Sequence, residues 1–239
     1  MEFMIQNVLF VIVLFVTSVL KTITGFAGTA LSMPFALKLI DALTARIVLG
    51  FFSWVNAVFV TVRERRYIQW KILAKIVIFM LIGLIIGMKI YEVAPFDILL
   101  KVYGVFIILI ALMNLLYKKT VTLSPVASYI VLLLSGIIHG MFLSGSALLV
   151  IYAADVLKEK KEFRATMSAV WTVLNAYMIL KYLIDRVFTK EMLLLLVVCI
   201  IPFLLAIFVG EYMQKRFSQK TFMTVTYVVL LASGVVVML

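Results

Sequence analysis

The sequence predicts an all-α polytopic membrane protein made of two inverted repeats, each a broken or re-entrant helix pair followed by three transmembrane helices. Three observations lead there. The 239 residues are 66% hydrophobic and only 14% charged, whereas soluble chains sit nearer half apolar and about a quarter charged. The apolar residues fall into ten runs, roughly 4–20, 26–40, 46–62, 71–91, 97–117, 126–142, 145–157, 164–184, 190–213 and 220–239. Finally, the order of these runs repeats, which divides one integral membrane domain into repeats at 1–118 and 119–239.

The individual elements follow from length and composition. A helix needs about 20 apolar residues to cross a ~30 Å hydrocarbon core, so the runs at 26–40 and 145–157 are too short to cross alone. Each follows a longer run after a Gly/Ser/Thr-rich break, Thr22-Ile23-Thr24-Gly25-Phe26-Ala27-Gly28-Thr29 in the first half and Gly140-Met141-Phe142-Leu143-Ser144-Gly145-Ser146 in the second. Pro34 and Pro202 lie within apolar runs, where neighbouring helices can satisfy the freed carbonyls. Gly28 corresponds to Gly145, Asn56-Ala57 to Asn175-Ala176, and Gly83-x-x-x-Gly87 to Ala206-x-x-x-Gly210. Small residues four apart let helix backbones approach closely.

The net charge of +11 does not point to nucleic acid, because the basic residues form short clusters between apolar runs. Such clusters fix membrane orientation. The clusters are Arg63/Arg65/Arg66/Lys71, Lys118/Lys119, Lys158/Lys160/Lys161/Arg164 and Lys215/Arg216/Lys220. Placing all four in the cytoplasm requires each broken pair to enter and return on one side, from opposite faces in the two halves, with both termini outside. The first run lacks a preceding positive charge, so it reads as structure rather than a cleaved signal. Cys199 is the lone cysteine, which excludes disulfides within the chain and cysteine metal clusters. No metal or other cofactor is expected.

A helix interrupted inside a membrane leaves backbone groups that only protein or a water-filled cavity can cover, and broken helices meeting near the midplane are a plan of secondary transporters. Each break precedes a short helix whose N-terminus favours an anion. Gly25, Gly28 and Gly145 permit close approach, and Thr29, Ser32, Ser144 and Ser146 add hydroxyl donors. Lys21 is a candidate fixed cation, with interfacial snorkelling as its alternative. Arg164 is a second candidate cation, and Arg46 reads as an interface anchor. Asn56 and Asn175 lie near mid-membrane, either as amide donors or as ties between helices, with Trp54 and Trp171 about a turn earlier. The sole histidine, His139, is a candidate carrier of a coupling proton or a neutral core residue. Asp155 reads as a surface cap or ion-pair partner.

These residues resemble the sulfite exporter TauE/SafE family over essentially the whole chain. The resemblance rests on Gly25-Phe26-Ala27-Gly28 through Pro34, on Gly136, Gly140 and Ser144-Gly145, and on Arg164-Ala165-Thr166 leading to Asn175. It implies transport of sulfite, a sulfonate or a related small sulfur anion across the cell (inner) membrane, coupled to an ion gradient. Ile151 stands where a second proline would match Pro34. The expected partners are the anionic substrate and the bilayer; a homo-oligomer is left open. An anion channel with re-entrant half-helices is the alternative reading. An enzyme is not expected: there is no G-x-S-G or H-E-x-x-H motif, and His139 is poorly spaced to serve Ser144 or Ser146 as a base.

Overall fold

A computed structural model of the protein describes residues 2–24, 28–116, 123–214, 228–232 and 234–235. Gly25 and the basic residues Lys118, Lys119, Lys215, Arg216 and Lys220 lie outside the described residues. The described chain forms α1 (Glu2–Thr24), α2 (Gly28–Leu39), α3 (Ala42–Arg63), α4 (Trp70–Val93), α5 (Phe96–Leu116), α6 (Pro125–Phe142), α7 (Ser146–Val156), α8 (Lys160–Ile184) and α9 (Lys190–Gln214), with a single 3-10 turn at Arg65–Tyr67. Residues 228–232 and 234–235 are helical as well.

Among the described residues, seven helices are long and apolar enough to span a membrane. The two short ones, α2 with 12 residues and α7 with 11, reach only about 16–18 Å at 1.5 Å per residue. These are the two helices that the glycine and serine breaks set apart in the sequence. The outer faces remain apolar: Leu194 is 66% exposed, Ile201 69% and Phe208 75%. Such a surface suits hydrocarbon rather than water.

Helix ends cluster at two opposite poles. Gln6 of α1, Lys38 near the end of α2, Asp41 at the start of α3 and Glu191 at the start of α9 surround one cavity. At the other pole Arg63 pairs with Glu211, Arg164 with Glu64, and the Gln69 amide donates to Glu162. The Leu123 N–H, just before α6, donates there to Asp155 near the end of α7. The pair α1–α2 thus starts and finishes at the first pole, and α6–α7 at the second.

Packing is reciprocal. Helix α1 lies on α9, α6 lies on α4, and α3 crosses α8 at the centre. The α4 and α6 backbones approach closely, because Gly83 and Gly87 face Gly136 and Gly140. A Cβ on Gly83 would meet the Leu133 carbonyl and the Ile137 amide, and one on Gly136 the Met80 backbone. Backbones at that range gain dispersion contacts that larger residues would prevent. At the α1–α9 crossing, Gly210 packs on Thr22 and Ala206 is fully buried.

Candidate functional site

The first break places a cation beside a helix N-terminus. Lys21, in the last turn of α1, is 8% exposed; its Nζ donates to Ser53 Oγ at 2.7 Å and to the Ser53 carbonyl at 3.2 Å. Its stem runs along Gly28, where a Cβ would come within 2.6 Å of Lys21 Cβ. Only glycine leaves room there for both the start of α2 and the lysine. Among the described residues no carboxylate pairs with Lys21. Burying an ionised side chain at membrane depth costs about 2.5–3.5 kcal/mol on insertion scales, and the positive end of the α2 dipole adds to the local positive potential.

Lys21 separates two small cavities of about 20 Å³ each. One is lined by Thr17, Gly28, Thr29, Ser32 and Ser53, together with apolar Phe52 and Phe203. The other is lined by Asn56, Arg164, Ser168 and Glu211 on the side of the second pole. Space of ~20 Å³ admits about one water, so in this conformation the cavities are closed to a larger anion.

From Lys21 a chain of polar groups crosses between the halves. The Asn175 amide donates to Ser53 Oγ at 3.2 Å, and Asn175 Oδ1 lies 3.0 Å from His139 Nε2. His139 is 2% exposed, and its ring lies 4.9 Å from that of Trp171. The sequence singled out Lys21, Asn175 and His139 separately; Ser53, which joins them, was missed. It stands one helical turn before Asn56 on the same helix, a spacing that puts both on neighbouring parts of one face.

The second break is packed rather than hollow. Leu143 adopts a left-handed conformation with φ 56°, held by burial of its side chain against Gly50. Its carbonyl accepts from Thr29 Oγ1 at 2.7 Å, so the two interrupted regions meet directly. Ser144, fully buried, shares a 2.5 Å hydrogen bond with Tyr103 of α5 and donates to the Phe142 carbonyl. The Tyr103 ring stacks on Phe142 at 4.2 Å. Gly145 abuts the Ser135 carbonyl, and Ser146 Oγ is buried with no hydrogen-bond partner. Tyr103 had no distinguishing signal in the sequence, being one aromatic residue in a long apolar helix.

The remaining candidates divide. Arg164 pairs with Glu64 at 3.6 Å while lining the second small cavity. Asn56 lines that same cavity, apart from the Asn175–Ser53 chain. Trp54 is half-buried and Trp171 buried, each with its indole N–H unpartnered; Pro34 is buried within α2. Arg46 differs from its expected role as an interface anchor. It is 3% exposed, donates to the Gly140 carbonyl at 2.6 Å and lies 3.8 Å over the Tyr91 ring. It ties α3 to the end of α6, because a terminal helical carbonyl and an aromatic face together offset the loss of hydration. Asp155 pairs with Lys158 as well as accepting from Leu123, the surface role read for it.

Seven apolar helices long enough to cross a bilayer, enclosing a buried lysine beside a small cavity, describe a polytopic membrane protein. The pattern of the sulfite exporter TauE/SafE family matches residues 9–237, nearly the whole chain, and the protein belongs to that family. No curated protein and no solved structure matches it.

Proposed function

We propose that the protein is a secondary carrier that moves sulfite, a sulfonate or a related small oxyanion across the cell membrane by alternating access between two inverted repeats. The observation that carries this reading is Lys21: a buried lysine with no carboxylate partner among the described residues, set between two cavities and beside the N-terminus of α2. An oxyanion there would neutralise the lysine and be favoured by the free amides of the helix start; Thr29 and Ser32 could donate to it only by turning from the Leu143 and Gly28 carbonyls, to which their hydroxyls now donate. The Asn56 and Arg164 side is its approach from the second pole, and the basic residues Arg63, Arg65, Arg66, Lys158, Lys160 and Lys161 there support a cytoplasmic placement. Both termini then lie outside.

Because each cavity holds about one water, the halves must move before sulfite can enter. That need favours a carrier over a continuously open pore. The reciprocal packing of α1 on α9 and α6 on α4 supports a duplicated, inverted architecture in which one seam loosens as the other tightens. His139, joined to Lys21 through Asn175 and Ser53, is the proton-coupling residue. Protonation of its imidazole would alter the electrostatic field at the lysine.

Counterflow of labelled sulfite in proteoliposomes tests the carrier. Saturable exchange that unlabelled sulfite competes away is expected. Absence of saturable flux for sulfite and for small sulfonates, with the protein monodisperse and thermally cooperative, rejects it. The coupling role has its own readout. His139→Gln preserves a partner for Asn175 but cannot titrate, so exchange should continue while accumulation driven by an imposed pH gradient is lost.

A further inference from the structure

We infer that the recess at the first pole, between α1, α9 and the end of α2, is a binding site for one aminophospholipid. It is a cavity of about 770 Å³, far larger than either space beside Lys21. Its walls are apolar, with Val11, Ile12, Leu37, Leu195 and Val198 prominent among them. It opens sideways towards the hydrocarbon, since Val8 is 55% exposed, Ile12 52%, Leu194 66% and Val198 51%. A water-filled anion vestibule would carry polar walls; this one offers an acyl chain the apolar contact it prefers.

Depth agrees with a lipid of one leaflet. The lining runs from Gln6 to Ile12 on α1 and from Glu191 to Val198 on α9. At 1.5 Å per residue that is about 10 Å, starting from the helix ends. The rim supplies the head-group chemistry. Lys38 is exposed at the end of α2 and suits a phosphate, while exposed Glu191 and Asp41 suit an ammonium. A head group carrying both charges satisfies both sides of the rim; an anionic one leaves the carboxylates opposed.

The corresponding place at the opposite pole is filled by the protein itself. By the spacing that pairs Gly28 with Gly145 and Gly87 with Gly210, Ile12 corresponds to Tyr129 and Val198 to Lys75. There the Tyr129 ring lies 4.6 Å from that of Phe79, and Lys75 Nζ lies 4.6 Å from the Tyr129 ring and 5.2 Å from that of Tyr152. Aromatic bulk and a lysine stem occupy in one seam what an acyl chain occupies in the other.

Native mass spectrometry of the detergent-purified protein, titrated with phosphatidylethanolamine or phosphatidylglycerol, tests the site. The expected result is one retained phosphatidylethanolamine per chain, held more strongly than phosphatidylglycerol. Val11→Phe and Val198→Phe each fill the recess and should weaken retention about tenfold, the equivalent of roughly two lost methylene contacts. Ile85→Phe, on the exposed face of α4, should leave retention unchanged. No retained lipid, retention by both filling variants as strong as that of the native protein, or equal preference for phosphatidylglycerol overturns the proposal. Anion flux does not enter this readout, so the lipid site stands or falls separately from the carrier.

Discussion

The two interrupted regions share a plan and differ in what they enclose. At the first, Gly28 starts a short helix beside Lys21, and hydroxyls of Thr29 and Ser32 line a cavity. At the second, Ser144 is bound by Tyr103, Gly145 is pressed onto a backbone carbonyl, and Leu143 is locked into a left-handed turn. The same kind of break therefore serves as a pocket in one half and as a buttress in the other. Thr29 links them through the Leu143 carbonyl, so the rigid break positions the hollow one. A glycine-rich interruption identifies a place where backbone is exposed inside the bundle; the side chains around it decide whether that place is filled.

Lys21→Met separates the hollow break from the packed one most strongly. Loss of the cation removes a charge-assisted bond to the proposed anion, worth about 1.5–3 kcal/mol, and should lower sulfite counterflow roughly 10–100-fold. The sign for stability is opposite to that of an ordinary core truncation. Methionine nearly matches the lysine stem and removes a buried charge, while Ser53 Oγ keeps its bond from Asn175. The melting temperature in detergent should be unchanged or raised. Full counterflow in Lys21→Met would show that the pocket at the first break is not where the anion sits.

Much of the architecture could be read from residue order. Nine of the ten apolar runs coincide with α1–α9, because crossing a bilayer fixes both length and polarity, and the Gly28 and Gly145 breaks located the two short ones; most of the tenth run, 220–239, lies outside the described residues. Lys21, Asn175 and His139 could be picked out because a polar group inside an apolar helix is costly wherever it points. The connection between them could not be read. Ser53 is a small hydroxyl residue of a kind common in membrane helices, and its role depends on α3 crossing α8, a tertiary fact. Arg46 was misplaced for a related reason. Its position near a helix start gives no hint that the end of α6 and the Tyr91 ring cover it. At the second break Ser144, Gly145 and Ser146 read as anion contacts, and nothing in their order announces Tyr103, which arrives from a helix that neither motif involves.

The paired glycines give a more direct test of pocket against buttress. In Gly28→Ala the new methyl presses on the Lys21 side chain, with Cβ at 2.6 Å and Cδ at 2.8 Å. It should move the ammonium off Ser53 and reduce counterflow more than it reduces stability. In Gly145→Ala the methyl meets the Ser135 carbonyl and lies 2.8 Å from His139 Cβ. Backbone cannot yield as a side chain can, so stability should fall by about 1–3 kcal/mol, measured as a lower melting temperature. Counterflow per folded molecule should fall less than in Gly28→Ala. Identical profiles for the two variants would mean that the breaks are equivalent after all.

The smallest expected effect comes from Tyr103→Phe, and it isolates the buttress without changing its shape. The ring would still stack on Phe142, so packing is kept and only the hydroxyl is lost. Ser144 retains the Phe142 carbonyl as acceptor, which limits the cost to a single neutral hydrogen bond of about 1 kcal/mol. Thr29 would still donate to Leu143, so the hollow break should keep its geometry and sulfite counterflow should remain near that of the native protein. A modest drop in melting temperature with normal flux is the outcome that assigns Tyr103 and Ser144 to support. A loss of flux comparable to that of Lys21→Met, without a matching loss of stability, would instead make the second break part of the anion's route.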